Sequence, residues 1–276
     1  MSLQWGHEGG QRTGSGLIDV TVPNAARAAD FLNGGHTNFA ADRKAAAALV
    51  ESAPSIAAIP PSARAFRRRV VSYLAADAGI RQFLDVGGGL VALGDTHGPA
   101  QAVDPTCRIV YVESDPMMFD RTQANLASTP EGLVACVEGD IADVNGIVSA
   151  AGDGAMLDAG QPIAVLLMST LAHVPAAADA AKVVAALMDP APSGSHLAVY
   201  HLASDLDPSL ETALKQWNAV AAIPIALRSA DEIAALVTGL DLVPPGLVPI
   251  DDWRPDASDP PAGAPAPIHG LVARKP

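Results

Sequence analysis

The residues best suited to chemistry stand where an apolar run, residues 80–86, delivers Asp85 and then three glycines, Gly87, Gly88 and Gly89, followed by Leu90. Glycine has no Cβ to hold the backbone away from a bound molecule and takes positive φ freely. A strand ending in such a turn can therefore present N–H groups to a ligand. A carboxylate just ahead of the turn orders it and helps to hold an ammonium group, whereas it would repel a pyrophosphate. The combination suits a nucleotide cofactor that carries an amino acid.

Polar residues recur at the ends of the later apolar runs. Glu113-Ser114 closes the run 108–112 and stands 24 residues after Gly89, close to the spacing at which an acid meets adenosine ribose hydroxyls. Asp140-Ile141 follows the run 133–137. Asp140 can accept from an adenine amino group while Ile141 and Leu90 bound the ring in an apolar slot. Ser169-Thr170 closes the run 163–168, with His173 just beyond. Asp85, Gly87, Gly88, Gly89, Leu90, Glu113, Ser114, Asp140, Ile141 and Ser169 together outline a site for S-adenosylmethionine, with S-adenosylhomocysteine as product. A sulfonium already activates its methyl group, so positioning does most of the catalysis. A base helps when the acceptor is a hydroxyl or a protonated amine. His173 is the best-placed candidate, ahead of His36 and His201.

The elements that must position these residues alternate. Helical segments are expected at 23–32, 40–52 and 62–76, and a strand at 80–86. A helix near Thr96, a strand at 108–113 and a helix opened by Asp115-Pro116 follow. Strands are expected at 133–137, 163–168 and 196–201. Helices should cover 176–188, 208–222 and 229–238, the last opened by the capping box Ser229-Ala230-Asp231-Glu232. Short strands at 240–243 and 268–273 flank a proline-rich loop. This pattern gives an α/β fold: a doubly wound, Rossmann-like sheet, mostly parallel with an antiparallel C-terminal strand, whose ligand site lies beyond the strand C-termini. Residues 1–16 fall outside the fold as a disordered or tag-derived start. Residues 17–78 form an N-terminal helical cap, and residues 79–276 form the core. The turn between the first two helices carries His36, Asn38 and Phe39, with Arg43 one turn later, and could serve as a lid over the glycine turn or as a solvated hairpin tip. Arg64, Arg67, Arg68 and Arg69 scatter over more than one helical face, which reads as a solvated, salt-bridged helix.

Composition sets the boundaries. The chain has 276 residues, 49% apolar but only 4% aromatic, so its core is aliphatic and alanine-rich. A formal charge of −13 disfavours nucleic-acid binding, which needs a basic surface. Cys107 and Cys136 show no metal or redox spacing, so no metal site is expected. With no apolar run long enough to span a bilayer and no secretory leader, a cytoplasmic protein with a small-molecule acceptor is expected.

Two other readings remain open on these residues. Gly87-Gly88-Gly89-Leu90-Val91-Ala92 satisfies Gly-x-Gly-x-x-Ala, and Glu113 could serve an NAD(P)-dependent oxidoreductase. Against this, residues 91–99 open a helix poorly where a pyrophosphate needs one. A noncatalytic protein that binds the cofactor or its demethylated product is the other. The segments 24–27, 31–43, 79–85 and 110–116, with Trp253-Arg254-Pro255-Asp256, resemble an actinobacterial family of S-adenosylmethionine-dependent methyltransferases long called a domain of unknown function. The resemblance runs from about Val20 to the C-terminus. It implies a class I methyltransferase fold with an added N-terminal cap and supplies no acceptor. The chain departs from that family in having Val91-Ala92 where Pro-Thr usually follows Gly-Leu, in Glu113-Ser114 at the second strand end, and in Gly98-Pro99 after His97.

Overall fold

A computed structural model describes residues 11–13, 16–87, 96–259 and 263–276. The chain begins with a small antiparallel hairpin of β1 (Gln11–Thr13) and β2 (Gly16–Ile18), so part of the stretch set aside from the sequence is paired. Helices α1 (Ala25–Leu32), α2 (Ala40–Ser52) and α3 (Ile59–Ala76) follow. The alternating region comprises β3 (Gln82–Val86), α4 (His97–Val103), β4 (Arg108–Glu113), α5 (Pro116–Asn125), β5 (Leu133–Glu138), α6 (Val144–Gly152), β6 (Ala164–Met168), α7 (Ala177–Met188) and β7 (His196–Leu202). The chain closes with α8 (Ser209–Asn218), α9 (Ala230–Ala235), β8 (Asp241–Leu242), β9 (Val248–Pro249) and β10 (Ile268–Arg274).

The main sheet runs β5-β4-β3-β6-β7-β10-β8, with β9 also on β10. Strands β3 to β7 are parallel, and β10 is antiparallel to β7, β8 and β9. Both β3 and β6 are buried along their whole length, which is why they read as unbroken aliphatic runs. On one face, Phe66, Val70, Val71 and Leu74 of α3 pack against Phe83, Ile109, Tyr111 and Val272. On the other, Ile147 of α6, Val184 and Leu187 of α7 and Ile233 of α9 cover Leu84, Val110, Val165 and Leu197. A third cluster joins Ala46 and Leu49 of α2 and Ile56 to Leu210, Leu214 and Trp217 of α8.

The differences from the sequence reading have local causes. Helix α3 starts at Ile59, with prolines in its first turn, where a missing N–H costs nothing. It also packs into the main core, although its sequence groups it with the cap. Its Arg67, Arg68 and Arg69 are salt-bridged as the sequence suggests, but they are not all solvated: Arg67 and Arg69 are each 6% exposed. Arg69 donates to the Trp253 and Ile250 carbonyls and pairs with Asp259. Helix α6, capped by Asp143 onto the Gly146 N–H, has no counterpart in the sequence reading because Gly146 and Gly152 dilute its pattern. Helices α8 and α9 are shorter than their apolar periodicity suggests.

Candidate active site

The chain leaves β3 toward β4 on one side and reaches β6 on the other, so the carboxyl ends of β3 and β6 border the crevice where open α/β sheets bind ligands. Asp85 is fully buried there. Its Oδ2 accepts from Arg67 Nη1 at 2.8 Å and from Thr96 Oγ1 at 2.7 Å, while Oδ1 has no partner among the described residues. One oxygen is thus anchored and the other is left to accept from a donor such as an ammonium group. Gly87 has φ +67°, and a Cβ there would meet Thr170 Cγ2 at 2.9 Å. Thr170 donates its hydroxyl hydrogen to the Val86 carbonyl, so the ends of β3 and β6 close on each other where glycine alone fits. Gly88, Gly89 and Leu90, expected to continue the cradle, lie outside the described residues.

On the next strand, Glu113 is buried at the end of β4, held by the burial of its own strand and by Gly139, whose N–H donates to the Glu113 carbonyl at 3.0 Å. Ser114 is exposed beside it. Asp140 is exposed, and its Oδ1 accepts from the Ala142 N–H at 2.9 Å. Ile141 lies half-buried against the aliphatic core. Below them, Tyr111 accepts from the Thr96 and His97 N–H groups and shares a 2.9 Å hydrogen bond with His97 Nδ1. Burial raises the Tyr111 pKa, so this phenol stays protonated and pins the start of α4.

Ser169 ends β6 in the left-handed region, at φ +72°, a backbone state that costs energy for a residue with a Cβ and clusters at functional sites. A single 3-10 turn, Thr170–His173, follows. Burial lowers the His173 pKa, opposed by the Pro224 carbonyl and the Asp140 carboxylate, and its Nδ1 has no partner among the described residues. Arg228 fixes this turn: it donates to the Leu171 carbonyl at 2.9 Å and to the Val174 and Pro175 carbonyls. It also donates to Nε2 of His201, whose Nδ1 hydrogen goes to the Leu202 carbonyl. Burial pushes the His201 pKa down to about 4, with the Arg228 charge acting in the same direction.

The cap attaches on both flanks of the crevice. Arg27 of α1 donates from Nε to Asp42 at 3.0 Å and from Nη1 to Asp115 at 3.0 Å, and all three side chains are buried. Asp115 follows β4. At the other flank Ser55 hydrogen-bonds Asp207, and α2 packs on α8, both beyond β7. In the sheet order, β3 and β6 lie between those two attachments. The turn between α1 and α2 is shaped by its glycines: Gly34 has φ +78°, and a Cβ on Gly35 would fall 2.0 Å from the Asp30 carboxylate. That carboxylate accepts from the Thr37 N–H and from Asn38 Nδ2, both at 2.7 Å. Asn38 in turn accepts from Arg43 Nη1 at 2.9 Å, and the Arg27 guanidinium stands 5.4 Å from the Phe39 ring centroid. Phe31, Gly34, Gly35, His36, Asn38 and Arg43 line one concavity of about 430 Å³.

A sequence profile described as S-adenosyl methyltransferase matches residues 11–276, nearly the whole chain. The chain belongs to the S-adenosyl methyltransferase family. A solved structure of a DUF574 family protein from Streptomyces avermitilis MA-4680 is 35% identical, with a TM-score of 0.88 over 94% of this chain and 99% of that one. A candidate methyltransferase from Thermobifida fusca YX is 31% identical, with a TM-score of 0.84 over 93% and 96%. A methyltransferase from Anabaena variabilis ATCC 29413, at 14% identity and a TM-score of 0.50, shares the fold. No curated protein matches the chain. The methyl donor of this methyltransferase is S-adenosylmethionine. The single-ended Asp85, the Gly87 cradle and the buried Glu113 fit it.

Several residues that build this site carried no clear signal in the sequence. Arg27 and Asp42 carry no pairing signal, Asp115 reads only as the cap of α5, and Arg67 as one of a solvated, salt-bridged row. Among the described residues no helix is long and apolar enough to cross a membrane, and no group of acids, histidines and cysteines could hold a metal ion.

Proposed function

We propose that this methyltransferase transfers the methyl group of S-adenosylmethionine to a small-molecule acceptor held beneath the cap formed by α1 and α2. The observation that carries this reading is the straddling attachment, Arg27 to Asp115 beyond β4 and Ser55 to Asp207 beyond β7, which roofs the ends of β3 and β6. A roof over a crevice limits the acceptor to something small enough to enter and shields the reacting groups from water.

Within the crevice, Asp85 and the Gly87 turn take the methionine end of the cofactor. Glu113 takes the ribose hydroxyls, with Ser114 beside it, and Asp140 and Ile141 border the adenine. Ser169 lies at the methyl end. The bound cofactor supplies a methyl group already activated by its sulfonium. The remaining need is to hold an acceptor in line and to receive its proton. His173 is suited to the second task, because burial disfavours the charged imidazolium and Nδ1 has no hydrogen-bond partner among the described residues. His36, Asn38, Phe39 and Arg43 face the acceptor from the cap.

Calorimetry with S-adenosylhomocysteine tests the reading. Glu113→Ala should weaken binding by about 1.5–3 kcal/mol, the worth of a hydrogen bond to a charged group. Affinity unchanged from the parent protein would remove Glu113 from the site.

A further inference from the structure

The methyl-transfer reading leaves the acceptor's chemistry open, and the concavity in the cap narrows it. Arg43 is exposed, yet its guanidinium is held in one orientation. Nη1 donates to both the Asn38 carbonyl, at 3.1 Å, and the Asn38 side chain, at 2.9 Å. Asn38 is itself anchored to Asp30 and to the Gly35 carbonyl. The relay starts at a buried carboxylate and ends on a surface arginine, so Arg43 does not pay the full rotamer entropy of an exposed side chain when a ligand arrives. Among the described residues, its Nε and Nη2 have no partner, and no carboxylate pairs with it. Those two N–H groups form the flat edge that grips a carboxylate with two parallel hydrogen bonds.

The surroundings agree. His36 is exposed on the same concavity, with no partner among the described residues, and Phe31 offers an apolar wall. Two ties hold the neighbouring residues of this turn: Arg64 of α3 bonds Asn33, next to Gly34, and Phe39, next to Asn38, lies under Arg27, which reaches Asp115. One helical turn beyond Arg64, Arg67 bonds Asp85 itself.

Resting on the methyl-transfer reading above, we propose that the acceptor is a small organic acid whose carboxylate docks on the Nε–Nη2 edge of Arg43, beside His36, with its apolar body against Phe31. Arg43 is then a specificity-determining residue, and the reacting atom lies elsewhere on the acceptor.

The probes are benzoate, its neutral analogue benzamide and inorganic phosphate, titrated at constant pH into the protein loaded with S-adenosylhomocysteine while the His36 side-chain resonances are followed. Benzoate should shift His36 saturably. Benzamide should not, and phosphate should bind more weakly than benzoate. Arg43→Gln should weaken the benzoate response at least fivefold and leave S-adenosylhomocysteine affinity within twofold. An equal response to benzamide, no response to benzoate, or an Arg43→Gln protein that still binds benzoate normally would overturn the proposal. Tighter binding of phosphate would overturn the carboxylate assignment, and loss of S-adenosylhomocysteine binding in Arg43→Gln would return Arg43 to the cofactor. Failure of the parent protein to bind S-adenosylhomocysteine strikes instead at the methyl-transfer reading.

Discussion

Two buried arginines hold opposite flanks of the crevice by different chemistry. Arg27, on the β4 side, is neutralised by two carboxylates, Asp42 and Asp115. Arg228, on the β6 and β7 side, is 2% exposed and meets only carbonyl oxygens and the Nε2 of His201, with no carboxylate paired to it among the described residues. The first arrangement sets one cation between two carboxylates. The second works only while His201 is uncharged, because an imidazolium there would face the guanidinium. The β4 flank is therefore an ionic joint, and the β6 and β7 flank, which carries His173, depends on proton occupancy.

Three measurements probe that contrast. The largest effect falls on the proton-dependent flank: with an acceptor in hand, His173→Gln should lower kcat about 10²–10⁴-fold, the usual worth of a positioned base. S-adenosylhomocysteine affinity should be unchanged, and turnover at the parental rate would return His173 to a structural role. On the ionic flank, Arg27→Ala takes the cation from the buried Asp42, while Asp115 keeps the N–H groups of α5, and should cost about 3 kcal/mol in urea unfolding. A loss below about 1 kcal/mol would mean that the joint adds nothing beyond packing.

The third effect concerns pH. His201 has its folded pKa lowered to about 4 from 6.5, so between those values the unfolded chain binds a proton that the folded chain refuses. Stability from this group is complete above about pH 6.5 and is lost as the pH falls toward 4. The loss amounts to on the order of 3 kcal/mol at most. His201→Asn should flatten that part of the stability curve measured by denaturant titration, and a slope retained in full would assign it to other groups.

Much of this organisation is legible in the amino-acid sequence itself. The run 108–113 forms β4, and Ala40–Ser52 forms α2. Asp115 caps α5 through the Met117 and Met118 N–H groups, and Ser229 and Glu232 form their capping box. Each of these signals is local, resting on neighbouring residues that satisfy one another. The order Asp85, Glu113, Asp140 also marks acids at consecutive strand ends, because a parallel sheet puts those ends together. Arg27, Arg67 and Arg228 are opaque for the opposite reason. Helical spacing tells which face a cation occupies, but a carboxylate 88 residues away, as with Arg27 and Asp115, leaves no trace in the local pattern. A buried arginine satisfied by carbonyls, such as Arg228, has no partner that a sequence could display.

Asp115 divides its two oxygens between two tasks: Oδ1 accepts from the first turn of α5, and Oδ2 receives Arg27. Were α1 and α2 to lift from the core, Asp115 would keep the partial positive charge of the helix terminus, and Arg27 would keep Asp42. Neither ion is orphaned by the separation. Parting the cap from the core at this seam would therefore cost less than breaking a lone buried pair, which suits the proposal that the acceptor enters beneath the cap.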